Sequence, residues 1–536
     1  KMRRFPRFRS FLTLLLLFSL AALGQALPAA ALGGDLVLRG GAIHDGSGGE
    51  PLAGDVVVRG ERILAVGRHE PQPGDTVIDC EGLIVAPGFI DLHTHSDSVL
   101  GDPQARRCLN YLIQGCTTMV TGNCGGGAAD TRAYLEGIGR KRAGCNIIHL
   151  APHGAVRRAA MGAARRKPTS EELAKMEALV DQAMRDGAWG MSTGLIYPPS
   201  SFAEADEITA LAKVVAAHGG IYATHIRGES EDLLDSIREA IQVGRRSGAP
   251  VQVSHFKVTG VSNWGLVRQA AQLIEAARNQ GLKITADQYP YTASSTSLTA
   301  TTLPDDRIPG GTVNLASRMA ADPELDAKVR EIVGSRLRPS EGIVIAQCKA
   351  HPEYVGKSIR QIAEEEHRDP IDTVLKLVAE GGAQIVNHGM SEDDVRWVMQ
   401  LPWVATGSDG SARPIRPGEA PHPRNFGTFA RKIGRYAIED KLVPLALAVR
   451  SASGLPADIL GLADRGYLRP GYFADIVVFD PRTYRDTATF DSPQQYATGV
   501  RWVFVAGSAA IEDGQPSEQL FGRALRHAEK AAAETR

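Results

Sequence analysis

Eight apolar runs, each breaking into polar residues at its C-terminal end, constrain this chain more than any other feature. They end as Leu92-His93-Thr94-His95, Val120-Thr121-Gly122-Asn123-Cys124, Leu150-Ala151-Pro152-His153, Met191-Ser192-Thr193-Gly194, Thr224-His225-Ile226-Arg227, Ser254-His255-Phe256-Lys257, Asp287-Gln288-Tyr289 and Gly407-Ser408-Asp409. Helical stretches fall between several of them, at residues 170–186, 204–218, 230–247 and 265–280. The first of these helices is expected to be capped by Ser170, with Glu171 and Glu172 in its first turn. Apolar strands alternating with helices predict a parallel α/β sheet. Eight strand–helix units predict a TIM-like (β/α)8 barrel whose chemistry lies at the C-terminal strand ends. A doubly wound open sheet is the alternative.

The polar ends carry the functional signal. Residues 82–86 lead into Pro87-Gly88, and Phe89 to Leu92 reads as a buried strand. Alternate side chains of a strand share a face, so His93 and His95 point the same way and Thr94 points opposite. Alone, that pair also fits two partly solvated residues at a strand end. Cys124, His225, His255 and Asp409 stand at the ends of other strands of the same barrel. Imidazole, thiolate and carboxylate together suit zinc. Any single histidine of this kind reads as a hydrogen-bonded structural residue; six donors converging on one barrel mouth read as a metal centre.

The two ends of the chain differ from its middle. Residues 34–87 alternate in short runs punctuated by Gly, Asp and Pro, and residues 465–515 repeat the pattern. Each end has too few strands for a core of its own. Together they predict one β-sandwich bracketing a barrel over residues 88–460. Residues 303–354 read as an insertion or lid between strands seven and eight, and residues 516–536 as a C-terminal tail helix. A chain of 536 residues suits such a large barrel with an accessory domain. The formal charge of −1 and the absence of a long basic run in the body exclude nucleic acid as an expected partner. Lys1, Arg3, Arg4, Arg7 and Arg9 precede an apolar run at residues 11–23, too short to span a membrane, and small residues follow. This order predicts a signal peptide over residues 1–26, cleaved near Gly24 or Ala26. The mature protein is then secreted or periplasmic and has no stable membrane association. Cys80, Cys108, Cys116, Cys145 and Cys348 are not spaced as a disulfide framework and read as buried thiols.

The segment Val85-Ala86-Pro87-Gly88-Phe89-Ile90-Asp91-Leu92-His93-Thr94-His95 resembles the first-strand signature of the metal-dependent amidohydrolase superfamily. His225 and His255 match its histidines on strands five and six, and Asp409 its strand-eight aspartate. Strand four, Ala188-Trp189-Gly190-Met191-Ser192-Thr193-Gly194, offers no lysine of the kind many amidohydrolases carboxylate to bridge two metals. Strand two offers Cys124 instead. That combination is similar to the N-acyl-D-amino-acid deacylases (D-aminoacylases). So are Thr224-His225-Ile226-Arg227-Gly228-Glu229, Ser254-His255-Phe256-Lys257, Gln288-Tyr289-Pro290-Tyr291, Gly407-Ser408-Asp409-Gly410 and Pro421-His422-Pro423-Arg424.

The resemblance spans residues 34–510. It implies zinc-dependent hydrolysis of N-acyl-D-amino acids to a carboxylate and a free D-amino acid. It further implies one tight Zn2+ on Cys124, His225 and His255, and a weaker adjacent site at His93, His95 and Asp409. In the same reading Asp409 shuttles the proton, and Lys257, Tyr289, Ser295 and Arg424 hold the substrate carboxylate. Residues 296–304 contain no cation, which favours neutral or hydrophobic substrate side chains. A D-residue dipeptidase, a cyclic-amide hydrolase of the hydantoinase or dihydroorotase type, and a non-catalytic solute-binding barrel are the alternatives.

Overall fold

The computed structural model describes residues 34–305, 307–337 and 342–527. The signal segment, residues 1–26, lies outside the described residues. The eight barrel strands are β1 (Phe89–Asp91), β2 (Cys116–Thr121), β3 (Asn146–His149), β4 (Gly190–Gly194), β5 (Ile221–His225), β6 (Val251–Val253), β7 (Ile284–Gln288) and β8 (Val404–Thr406). β1, β2 and β3 pair in parallel, as do β4 through β8. Past Leu150, the short strand Ala151–Pro152 pairs with β4. Across the remaining gap the Asp409 amide donates to His93 O at 2.8 Å and the His95 amide to Gly410 O at 2.7 Å. The ring is therefore closed at the level of the site, and its closing bonds are made by residues of the site.

The helices α1 (His153–Met161), α2 (Ser170–Arg185), α3 (Ala205–Ala217), α4 (Leu233–Ser247) and α5 (Leu266–Asn279) pack outside. Their buried faces, including Val180, Ile208, Leu211, Ile237 and Ile274, share one core with barrel residues such as Met191, Tyr222 and Val253. The cap of α2 is Thr169 rather than Ser170. Its hydroxyl accepts from the Glu172 amide and the Glu172 carboxylate accepts from the Thr169 amide, a reciprocal capping box.

Both chain ends enter one nine-stranded sheet. Its seam is the antiparallel pair Ile84–Pro87 with Ile476–Phe479. Val56, Val58, Val85, Ile476, Val478 and Phe504 fill its core. Strand Ile84–Pro87 passes into β1 through Gly88, where a Cβ would lie 2.3 Å from Thr117 Cγ2. Glycine is needed there for close approach, and the accessory sheet thereby delivers β1 to the barrel.

The insertion is larger than residues 303–354. It begins with strand Ser294–Ser297 and runs to strand Gln384–Asn387, which pairs with it and with Ile343–Gln347. Leu298, Val329, Val333, Ile345, Ile359, Val374 and Ile385 give it a core of its own. Its first strand, Ser-Ser-Thr-Ser, has no apolar residue to mark it in sequence. Residues 517–527 form no helix. The Ile147 amide donates to Arg523 O and the Leu525 amide to Ile147 O, both at 2.8 Å, so this stretch lies as an extended strip along β3. The Trp189 indole donates to Leu525 O. A main-chain partner outweighs the helical composition, and residues 528–536 lie outside the described residues. Among the described residues no helix is long and apolar enough to cross a membrane.

One buried cation in this frame has a pH signature. Lys432, on the π-helical segment Arg431–Glu439, is 1% exposed and its Nζ has no hydrogen-bond partner among the described residues. Burial pushes its ammonium down to about 7. An unfolded lysine titrates near 10.5, so between pH 7 and 10.5 the unfolded chain holds the extra proton and stability rises with pH. Below pH 7 both states are charged and the full cost of burial remains. Lys432→Met is therefore expected to raise stability by about 2 kcal/mol at pH 7, with the gain shrinking toward pH 10. Urea unfolding of both proteins at the two pH values measures this.

Candidate metal centre

β1 ends two residues before His93, and Asp91 Oδ1 accepts the His93 amide. His93 Nδ1 lies 3.2 Å from Asp287 Oδ1, which leaves Nε2 facing the barrel axis, 3.3 Å from Cys124 Sγ and 3.4 Å from Asp409 Oδ1. His95 Nε2 lies 2.9 Å from the same Asp409 oxygen. Cys124 sits in the short turn Asn123–Gly125 that follows β2. Cys124, His255 and Asp409 all take positive φ, at 51°, 38° and 50°. Non-glycine residues held this way cost on the order of 1 kcal/mol or more each, and such strain clusters at functional sites.

Three donors form a compact triangle. Cys124 Sγ lies 3.8 Å from His225 Nδ1 and 3.9 Å from His255 Nε2, and the two nitrogens are 2.8 Å apart. Ligand atoms on a tetrahedral zinc, at bond lengths of about 2.0 to 2.3 Å, stand roughly 3.3 to 3.7 Å apart. The set fits zinc in chemistry; its sulfur–nitrogen distances are slightly longer and its nitrogen–nitrogen distance shorter than that spacing, and all three donor atoms lie within 4.8 Å of one another. Two overlapping groups, His93 with His95 and Cys124, and His93 with His255 and Asp409, also bring their donor atoms within 4.8 Å of one another. All six residues singled out in the sequence are thus in one place.

The electrostatics prepare the donors. Burial opposes a Cys124 thiolate, but the His93 charge and hydrogen bonds from His225, His255 and His93 hold the thiol well below its ordinary range. Burial likewise opposes the Asp409 carboxylate. Arg424, His93 and His255 nonetheless hold it well below the usual carboxylate range. Arg424 Nη1 stands 2.8 Å from Asp409 Oδ2.

Two carboxylates support the ligating imidazoles: Glu229, which the sequence offers as a supporting residue beside Arg227, and Asp287, which it does not; Arg227 pairs with Glu239 rather than with Glu229. Asp287 Oδ1 accepts the His255 amide at 2.8 Å while facing His93, and its Oδ2 accepts from Gln252. Glu229 Oε1 lies 2.7 Å from His255 Nδ1 and 2.6 Å from Lys257 Nζ. A carboxylate on the far nitrogen fixes the tautomer and orientation of a ligating imidazole. The signal for Asp287 was the one charged residue in the strand Ile284–Gln288, which once buried demands partners.

A cavity of about 580 Å3 opens above the donors, with His95, Cys124, His225, His255 and Asp409 in its lining and Ser295 and Arg424 in its wall. Arg424 Nη2 donates to Ser295 O at 3.1 Å, and its Nε has no hydrogen-bond partner among the described residues. Lys257 and Tyr289 do not border the cavity. Glu229 draws the Lys257 ammonium to itself, and Lys257 Nζ and Arg424 Cζ both stand over the buried Tyr289 ring, at 5.8 and 4.9 Å from its centroid. Tyr197 closes the cavity on another side. Its hydroxyl lies 2.9 Å from Thr296 Oγ1 and ties the loop after β4 to the insertion.

A thiolate–imidazole centre of this kind, open to a cavity at the C-terminal mouth of a barrel, places the chain among the metal-dependent hydrolases. Comparison with known proteins narrows the class. The profile of the Amidohydrolase family matches residues 76–333 and 339–510. The D-aminoacylase of Alcaligenes xylosoxydans xylosoxydans is 37% identical over 517 residues, covering 92% of this chain and 97% of the relative. An N-acyl-D-glutamate deacylase of the same organism is 35% identical over 515 residues, covering 92% and 96%. Among solved structures, the N-acyl-D-glutamate deacylase of Bordetella bronchiseptica, complexed with zinc and a phosphonate mimic of the tetrahedral intermediate, superposes with a TM-score of 0.79. It is 33% identical, covering 92% of this chain and 99% of that one. The chain belongs to the amidohydrolase family and, within it, to the N-acyl-D-amino-acid deacylases.

Proposed function

We propose that this chain is a zinc-dependent hydrolase of N-acyl-D-amino acids, releasing a carboxylate and a free D-amino acid. The observation that carries the reading is the Cys124–His225–His255 triangle beside an Asp409 paired with Arg424, at the lining of one cavity. Bound zinc polarises the amide carbonyl and brings the pKa of water at the site from about 16 to near 7.

The remaining work falls to the side chains. Cys124, His225 and His255 hold the tighter ion, and His93, His95 and Asp409 line the weaker position. Arg424 keeps Asp409 ionised, so the carboxylate starts as a base. It takes the proton of the attacking water and returns it to the leaving amine nitrogen. The unpaired Nε of Arg424 and the adjoining Ser295 receive the substrate carboxylate. Lys257 acts one layer back, by holding Glu229 against His255. Tyr289 acts from the same layer, by packing against Arg424.

Next to Ser295 the segment of residues 296–304 brings only Thr296 to the cavity, which supports neutral or hydrophobic side chains on the amino acid. The basic, apolar, then small order of residues 1–26 supports export to the periplasm or beyond.

The test is a panel of N-acetyl-D-Leu, -Met, -Phe and -Glu, their L enantiomers, D-residue dipeptides and a cyclic amide, with zinc-loaded and chelator-treated protein. We expect turnover of the D series alone, neutral side chains faster than D-Glu by about tenfold, and loss of activity on chelation that zinc restores. Preference for the cyclic amide or the L series would contradict the reading.

A further inference from the structure

The cavity lining holds an exposed arginine, Arg158, that hydrolysis of a simple N-acetyl substrate leaves unused. Three arginines line the cavity: Arg424, Arg413 and Arg158. Arg424 is paired with Asp409 and Arg413 with Glu419. The guanidinium of Arg158 has no hydrogen-bond or ion-pair partner among the described residues. Asp409 is the one acid among the residues in the lining, and it already has Arg424 and two histidines around it. The same lining includes Gly125, Gly126, Gly127, Pro198, Pro199 and Ser200, none of which carries a countercharge.

The placement of Arg158 is set by the fold. It lies on α1, four residues after Gly154, and residues four apart share a helix face. Gly154, Ala155 and Arg158 all border the cavity. A Cβ on Gly154 would lie 2.7 Å from Gly125 O, so the first turn of α1 is pressed against the turn that carries Cys124. Arg158 therefore stands about 6 Å further along the helix axis than Gly154, one turn beyond the contact with Gly125.

Topology says which part of a substrate meets it. The barrel closes in the order β1 to β8, so the end of β3, where α1 starts, is diametrically opposite the end of β7. Ser295 follows β7 and Arg424 follows β8. An amino acid whose carboxylate is held by Arg424 and Ser295, with its amide carbonyl at the Cys124–His225–His255 donors, directs its acyl chain away from them, toward β3 and Arg158.

We infer that Arg158 is a specificity-determining residue for the acyl group, and that the chain accepts N-acyl groups ending in a carboxylate, of succinyl or glutaryl length, on neutral D-amino acids. This rests on the deacylase reading above. The acyl carboxylate ion-pairs with the Arg158 guanidinium at the outer part of the cavity. The neutral amides of Gln347 and Gln384, paired in register on the insertion sheet, face the same space. The same cation could instead meet an acidic side chain of the amino acid, and the substrates below separate the two sources.

The experiment measures kcat/KM of the zinc-loaded protein and of Arg158→Gln and Arg158→Glu for N-succinyl-D-Leu, N-acetyl-D-Leu and N-acetyl-D-Glu. The ratio of N-succinyl-D-Leu to N-acetyl-D-Leu is expected to fall about tenfold in Arg158→Gln and further in Arg158→Glu, the size of one partly solvated charge-assisted contact. The change should lie in KM, with kcat for N-succinyl-D-Leu within about twofold. An unchanged ratio overturns the inference, and so does a loss confined to N-acetyl-D-Glu, which would move Arg158 to the side-chain subsite. Absence of turnover on all three substrates by the unaltered protein overturns the deacylase reading and this inference with it.

Discussion

Asp409→Asn is expected to lower kcat for N-acetyl-D-Leu by about a thousandfold or more, an effect of about 4 kcal/mol on the barrier, while the protein keeps close to its full zinc content. Asparagine has the size and shape of aspartate and still accepts hydrogen bonds, so the closing bond from residue 409 to His93 O survives. What it cannot do is take a proton. Asp409 Oδ1 stands 2.9 Å from His95 Nε2 and 3.4 Å from His93 Nε2, and its other oxygen is held by Arg424. This leaves a carboxylate that is ionised, immobile and next to the reacting centre, which a proton shuttle requires. Metal analysis and turnover on the same preparation check both halves. Near wild-type turnover would remove Asp409 as the shuttle, and parallel loss of zinc would make it a primary ligand instead.

Cys124→Ala is expected to weaken the tight zinc by at least about a hundredfold and to leave dialysed protein largely without metal or activity. The thiolate brings the negative charge of the triangle; His225 and His255 are neutral donors when they bind. Alanine leaves two imidazoles 2.8 Å apart with no anion between them. The turn itself should tolerate the change, because the backbone at Cys124 is already fixed by its surroundings. Asn123 Nδ2 donates to Val120 O, and the Gly125 amide donates to Ser192 Oγ. Circular dichroism together with zinc content after dialysis reads this out. Zinc content equal to that of the unaltered protein would show that the ion is held by the His93, His95 and Asp409 side of the centre.

The barrel and the six donors were legible because each donor falls within a few residues of the end of a continuous apolar run. Burial makes the run conspicuous and the barrel puts every such end on one face. His93, Cys124, His225, His255 and Asp409 all illustrate this. The supporting layer was not legible in the same way. Glu229 and Asp287 act through contacts with residues 26 and more positions away, so the sequence shows a charged residue but not the histidine it faces. Lys257 is expected at the substrate carboxylate from the resemblance, but its ammonium is held by Glu229 instead. The insertion was drawn too narrowly because the strand Ser294–Ser297 is entirely hydroxyl-bearing and is defined only by its partner, Gln384–Asn387. Residues 517–527 carry helical composition but find the free edge of β3.

The most direct test of the account is zinc K-edge absorption of protein loaded with one equivalent of the metal. The account predicts one sulfur at about 2.3 Å together with nitrogen or oxygen ligands at about 2.0 to 2.1 Å, the sulfur being that of Cys124. A first shell of nitrogen and oxygen alone would contradict it.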